Sequence, residues 1–265
     1  MSAAAERSSW FARLVGQPPL VVAHRGASGL APENTLAAFR RALELRAPAV
    51  ECDVHLSADG VPVVIHDAKV DRTTTGRGEV GALSLAALRG LDAGAWFGPE
   101  FAGERIPTLE EVLATCRGRA RVVIELKPGG DAPLVEATLQ AIATTTAAEL
   151  AIISFDPQVV RLVAQRAPDL PLGFLLTSRG VAELGHEAVV RETTSLGATC
   201  LAPHYSTITA PFVATIHAAG LAVSVWTIDD PTEMERLAGL GVDAITTNRP
   251  DVALDVLGRP PTATV

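Results

Sequence analysis

The sequence is poor in cysteine, short of positive charge and without long apolar runs, and each shortage removes a class of protein. Three cysteines (Cys52, Cys116, Cys200) among 265 residues form no CxxC pair and leave one thiol over in any disulfide scheme. A disulfide framework is therefore not expected, and a reducing compartment is. Lys and Arg number 22 against 30 Asp and Glu, a net charge of −8. With no basic excess to displace counterions, a general nucleic-acid binder is excluded, although a local cationic pocket can still hold one phosphate. No run approaches the roughly 20 apolar residues of a membrane span. The opening stretch "MSAAAERSSWFARLVGQPP" breaks its apolar residues with Glu6, Arg7 and Arg13, unlike a secretion signal. The expectation is a cytoplasmic protein without integral membrane association. A Gly-rich dinucleotide turn is also missing, which counts against an open doubly wound sheet.

What is present is ordinary globular material, 48% hydrophobic, at a length that suits one α/β barrel. Short apolar runs fall at Leu20–Ala23, Ala49–Asp53, Val61–Ile65, Val122–Glu125, Ala151–Ser154, Leu172–Leu175, Ala198–Leu201, Leu221–Trp226 and Val242–Thr246. They are continuous rather than alternating, as strands of a parallel sheet covered on both faces should be. Amphipathic stretches such as "TLAAFRRALEL", "TLEEVLATC", "APLVEATLQAIATT" and "DPTEMERLAGLG" separate them, several opening on Thr or Asp-Pro. Eight βα units in this length predict a (β/α)8 barrel, read as one domain over 1–265 with its core at about 20–257. The irregular Gly- and Thr-rich segment 67–105 is too long for a connector. It is read as an insertion after the second strand that helps cover a site.

Charged residues gather where apolar runs end. In "VECDVHL", Glu51 and Asp53 are two apart on a strand and so point the same way, with Cys52 opposed. In "VVIELKPGG", Glu125 and Lys127 repeat that spacing ahead of a Pro-Gly-Gly turn. Barrel strand ends converge on one mouth. There, three carboxylates would offer hard oxygen ligands for Mg²⁺ or Ca²⁺ rather than zinc. The same residues could instead form a structural ion-pair network with Arg25 and Lys127. His24 and His66 each follow an apolar run, beside Arg25 and Asp67, and imidazole is the natural acid or base near neutral pH. Arg25 and Lys127 are candidate phosphate contacts. Trp226 and, more weakly, Phe155 are candidate apolar walls of the mouth, and His204 a candidate substrate contact. Gly26 is read as the residue that lets the chain turn close to a ligand. His55, His186 and His217 are given no role.

The segments "AHRGASGLAPENTLAAFRRALE", "VECDVHLSADGVPVVIHD", "RTTTGRGEV", "LDAGAWF", "IPTLEEVL", "IELKP", "VWTID" and "GVDAITTNRP" follow one another from about Leu20 to Pro250. Together they resemble the glycerophosphodiester phosphodiesterases. The resemblance implies a TIM barrel with an insertion after the second strand. It implies one divalent cation, Mg²⁺ or Ca²⁺, on Glu51, Asp53 and Glu125. It implies His24 and His66 as the acid/base pair and Arg25 and Lys127 as phosphate contacts. Glu33 and Asn34 match the "ENT" signature and are expected to brace the site from behind. Where the family usually carries Gly after the first helix, this chain has Ala47-Pro48. The expected partner is a small glycerophosphodiester, split into glycerol 3-phosphate and an alcohol. A lysophospholipase D-like phosphodiesterase, for which Trp96-Phe97 leaves room, and a non-catalytic phosphate-binding barrel are the competing readings.

Overall fold

The computed structural model describes residues 10–13, 16–127, 131–143 and 150–258. Nine strands form one sheet: β1 (Leu20–Ala23), β2 (Ala49–Leu56), β3 (Pro62–Val64), β4 (Arg121–Leu126), β5 (Leu150–Ser154), β6 (Leu172–Leu176), β7 (Cys200–Pro203), β8 (Ala222–Val225) and β9 (Ala244–Thr247). The order β1-β9-β8-β7-β6-β5-β4-β2 closes on itself through β1–β2, every pair parallel. Eight strands therefore make a closed barrel, as the sequence predicts. The ninth, β3, runs antiparallel to β2 and is not a stave. The insertion 67–105 follows this hairpin, between the second and third barrel strands.

Helices wrap the outside, and their starts are written in the sequence. Thr35 caps the helix Leu36–Glu44, and Asp230 caps Pro231–Gly239. Thr108 and Glu111 form a reciprocal capping box on Leu109–Cys116. Between β6 and β7 stand two helices, Ser178–Leu184 and His186–Ser195, that the apolar pattern does not separate. The run Ala198–Leu201 is strand only from Cys200. Ala198 still closes the preceding helix through a bond to the Thr193 carbonyl.

Outward side chains of the strands pack on these helices in one core, while inward ones form a second cluster. Near the strand starts the inner residues are small: Ala49, Ala151, Cys200, Ala222 and Ala244. Trp10 and Phe11 fill the space they leave. Asp243 accepts from the Arg13 backbone N–H (2.9 Å), and Arg121 donates to the Trp10 carbonyl (2.8 Å), tying this segment to the barrel's lower end. The insertion keeps a small core of its own around Val63, Ile65, Val70, Val80, Leu88 and Ile106. The Pro128–Gly130 turn and residues 1–9 of the opening stretch lie outside the described residues.

Candidate active site

Strand register brings the predicted acids together. Asp53 pairs with Glu125 across β2 and β4, and Glu51 lies two residues below Asp53 on the same face. One oxygen of each of Glu51, Asp53 and Glu125 lies within 4.8 Å of the others. All three are buried. Two cations face them. The Lys127 ammonium bridges Asp53 (2.7 Å) and Glu125 (2.6 Å). Arg25 Nε sits 3.2 Å from Asp53, and its Nη1 reaches Glu33 at 2.8 Å. Burial alone would raise Asp53, but Lys127 and Arg25 hold its carboxyl well below the usual range. Glu125, pushed by burial and by Asp53, rises to about 7, and Glu51 moves up for the same reasons.

These residues fit a divalent cation. Glu51 Oε1 is buried without a hydrogen-bond partner, a costly state for a carboxylate oxygen. With all three carboxylates ionised, as metal ligands must be, they and the two cations carry one negative charge in excess. A divalent ion would turn that into one positive charge, which a phosphodiester monoanion neutralises. All ligands are hard oxygens, which suits Mg²⁺ or Ca²⁺.

The loop after β1 carries the first histidine. His24 N–H donates to the Thr247 carbonyl (2.8 Å), extending the β1–β9 ladder. Arg25 then takes φ 55° and Gly26 φ 79°, which turns the Arg25 N–H onto Glu51 (2.9 Å). A Cβ at Gly26 would stand 2.5 Å from the Ala38 backbone. The glycine thus lets the loop press on a helix, not on a ligand as the sequence suggested. His24 Nδ1 bonds Asn248 Oδ1 at 2.7 Å, and Nε2 lies 4.0 Å from Glu51. Burial and the neighbouring Arg25 lower its pKa to about 4, so it is a neutral imidazole at pH 7.

His66 arrives by another route, on the β2–β3 hairpin rather than on a barrel strand. Ile65 N–H bonds the Asp53 carbonyl (3.0 Å), and His55 Nε2 donates to the His66 carbonyl (3.0 Å). His66 Nδ1 sits 2.6 Å from Asp67, whose carboxylate is held low by Arg72. Arg72, from the insertion, also grips Glu33 through two bonds of 2.8 Å. Asn34 donates to Asp53 (2.7 Å). Glu33 and Asn34 therefore stand behind the cations and acids.

A cavity of about 190 Å³ opens at this point, with His24, Arg25, Glu51, His66, Glu125 and Lys127 on one side. Phe155, Trp226, Ile153 and Leu175 form the opposite, apolar wall, and Phe11 the floor. Phe155 and Trp226 meet edge to face, centroids 5.2 Å apart. His204 is not among the lining residues. It packs at right angles on Trp226, its Nδ1 held by the Ser206 N–H in the turn after β7. Sequence reasoning gave no role to Asp67, Arg72, His55, Asp229 or Asn248. Asn248 carries the one usable signal, a polar residue just beyond an apolar strand, as His24 is. Among the described residues no helix is long and apolar enough to cross a membrane.

The model of the glycerophosphoryl diester phosphodiesterase family matches residues 24–252. A glycerophosphodiester phosphodiesterase of Caldanaerobacter subterraneus subsp. tengcongensis is 42% identical over 247 residues, 91% of this chain and 98% of that one. One from Bacillus subtilis is 35% identical, covering 88% and 84%. Among solved structures, a phosphodiesterase of Oleispira antarctica in complex with the product sn-glycerol-3-phosphate superposes with a TM-score of 0.84 at 32% identity, covering 91% and 98%. A glycerophosphodiester phosphodiesterase of Agrobacterium tumefaciens gives 0.78 at 32%, covering 89% and 99%. The family model's span takes in both histidines and all three acids, and the chain belongs to the glycerophosphoryl diester phosphodiesterase family.

Proposed function

We propose that this chain hydrolyses glycerophosphodiesters to glycerol 3-phosphate and an alcohol. The observation that carries the reading is the cavity itself, where two histidines, the carboxylates of Glu51 and Glu125 and two cations line one side, with Asp53 buried beside them. A binding module needs cations for phosphate but no pair of proton-transfer groups. Arg25 and Lys127 take the charge of the diester. Glu51, Asp53 and Glu125 would hold the divalent ion, which when bound supplies Lewis-acid stabilisation of phosphate charge. His24, neutral, takes the proton of the attacking nucleophile, either water itself or the glycerol 2-hydroxyl, whose cyclic phosphate water then opens to glycerol 3-phosphate. His66, whose Nδ1–H rests on the Asp67 carboxylate, must enter the step as the imidazolium, from which Nε2–H protonates the leaving alcohol oxygen and leaves the ring neutral. Trp226 and Phe155 keep water from the far side of the substrate.

Release of glycerol 3-phosphate from glycerophosphocholine, with Mg²⁺ or Ca²⁺ and again with chelator, tests this. His24→Ala and His66→Ala should each lower kcat by about 10²- to 10⁴-fold, the usual worth of a positioned acid or base. Near-normal rates in either variant, or no release under any metal, would overturn the reading.

A further inference from the structure

The loops after β8 and β9 bring together Asp229 and Asn248, two residues to which the chemistry above gives no part. Both sit at the rim: Asp229 is exposed and Asn248 half-buried. Asp229 Oδ1 accepts from the Asn248 backbone N–H (2.8 Å) and from Thr247 Oγ1 (2.9 Å). Asp229 Oδ2 accepts from Asn248 Nδ2 (2.7 Å). A carboxylate can only accept, so the Asn248 amide has one orientation open to it, with NH₂ toward Asp229 and Oδ1 the other way. That Oδ1 receives Ser28 Oγ (2.8 Å) and meets His24 Nδ1 (2.7 Å). An amide oxygen cannot donate, so His24 Nδ1 must carry the proton. Its Nε2 is left with a lone pair, on the ring edge nearer Glu51.

We infer that Asn248 and Asp229 are positioning residues that fix His24 as the Nδ1–H tautomer and so keep Nε2 able to accept a proton. The inference rests on His24 being the proton acceptor of the proposed reaction. The chain of bonds runs in one direction only, from an exposed carboxylate through an amide to an imidazole, and each link determines the next. Which nitrogen of a histidine is protonated follows from the bond the other makes. Without the Asp229 anchor the Asn248 amide is free to turn over. Its NH₂ would then face Nδ1 and select the opposite tautomer, with a proton on Nε2 where the nucleophile's must go.

Two measurements on the full-length protein test this. Long-range ¹H–¹⁵N correlation spectra of histidine-labelled, metal-free protein report the tautomer of His24 without any reaction. Nδ1 should be the protonated nitrogen in the wild type, and Asn248→Ala should give a mixture. In the glycerophosphocholine assay, Asn248→Ala and Asp229→Asn should each lose about 10- to 100-fold in kcat, the scale on which partners that orient a functional histidine act, with KM little changed. The exchanged pair Asn248→Asp/Asp229→Asn restores the pattern. The new amide at position 229 would donate to the new carboxylate at position 248, which in turn would accept from His24. The pair should recover most of the loss that Asp229→Asn alone causes. A purely structural role predicts no such rescue and lowers thermal stability in step with activity. An unchanged tautomer in Asn248→Ala, or an exchanged pair no better than Asp229→Asn alone, overturns the inference. If the wild type releases no glycerol 3-phosphate, the proposed reaction has failed, while the tautomer spectra still decide what Asn248 does to His24.

Discussion

Glu125 is the residue whose protonation divides the metal-free site from a metal-loaded one. Burial, with Asp53 beside it, lifts its carboxyl to about 7, against roughly 4.3 in an unfolded chain. A group raised in this way stabilises the fold most below its unfolded pKa, and that stability is lost as pH rises through about 7. Glu51 moves in the same direction. The histidines have the opposite sign: His24, lowered to about 4, and His55, His66 and His204, lowered too, favour the fold increasingly up to their unfolded value of roughly 6.5. The difference between the wild type and Glu125→Gln cancels them and leaves the Glu125 carboxyl. With chelator present, the melting temperature of the wild type should fall relative to that of Glu125→Gln as pH rises from about 5.5 to about 7.5. A divalent ion needs the ionised ligands, so the rise in melting temperature on adding Mg²⁺ should be larger at pH 8 than at pH 6.5. In Glu125→Gln that pH dependence should be weaker. A wild type that gains on Glu125→Gln as pH rises in chelator would contradict the assignment. These acids were legible because the two-residue spacing in "VECDV" and "IELK" sets side chains on one face. Asp67, Arg72 and Asn248 were not, because loop residues have no periodicity to say where they point.

At the scale of single elements, the turn after the first helix carries strain in its backbone. Arg46 takes φ 60°, and Ala47 N–H closes the helix onto the Ala42 carbonyl (3.0 Å). A side chain in the left-handed region is strained by about 1–2 kcal/mol, and Arg46 is exposed, with no ion pair among the described residues to offset it. Arg46→Gly should therefore stabilise the protein by about 1 kcal/mol, less the extra freedom glycine gives the unfolded chain. The urea midpoint should rise with an unchanged slope, and a fall would show that the arginine makes a contact of value. All nine strands were readable as apolar runs, because burial on both faces leaves few polar interruptions. The direction of β3 was not read from its run of residues, since an apolar run carries no polarity. Its signal lay in Asp59-Gly60, where Gly60 has φ 79° and Ser57 N–H meets the Val61 carbonyl (3.0 Å), a tight hairpin.

For the whole molecule, the question is what keeps a barrel with small inner residues from being hollow. A TIM barrel is ordinarily filled by the branched side chains of its own strands. Here the lower inner positions are mostly alanine, and the filling comes from residues that precede β1. Trp10 and Phe11 are 6% and 2% exposed, their rings 4.7 Å apart, with the Arg121 guanidinium 5.3 Å from the Trp10 ring centre. The alternation of βα units made the barrel readable from sequence, but this plug lies outside that repeat and its neighbours are far away along the chain. Only closure of the ring shows that alanines on separate strands face one space. The plug also sets the depth of the active-site cavity, because Phe11 is its floor. Phe11→Ala should then do two things at once. Removing a buried aromatic side chain costs about 3–5 kcal/mol, readable by urea denaturation. The cavity should deepen toward the barrel's lower end, raising KM for small glycerophosphodiesters more than it lowers kcat, since Phe11 offers the reaction neither charge nor proton. Trp10→Ala, one layer further from the cavity, should show the stability loss with KM unchanged. If both variants were as resistant to urea as the wild type, the segment would be a loose flap and the barrel's packing would have to come from its own strands.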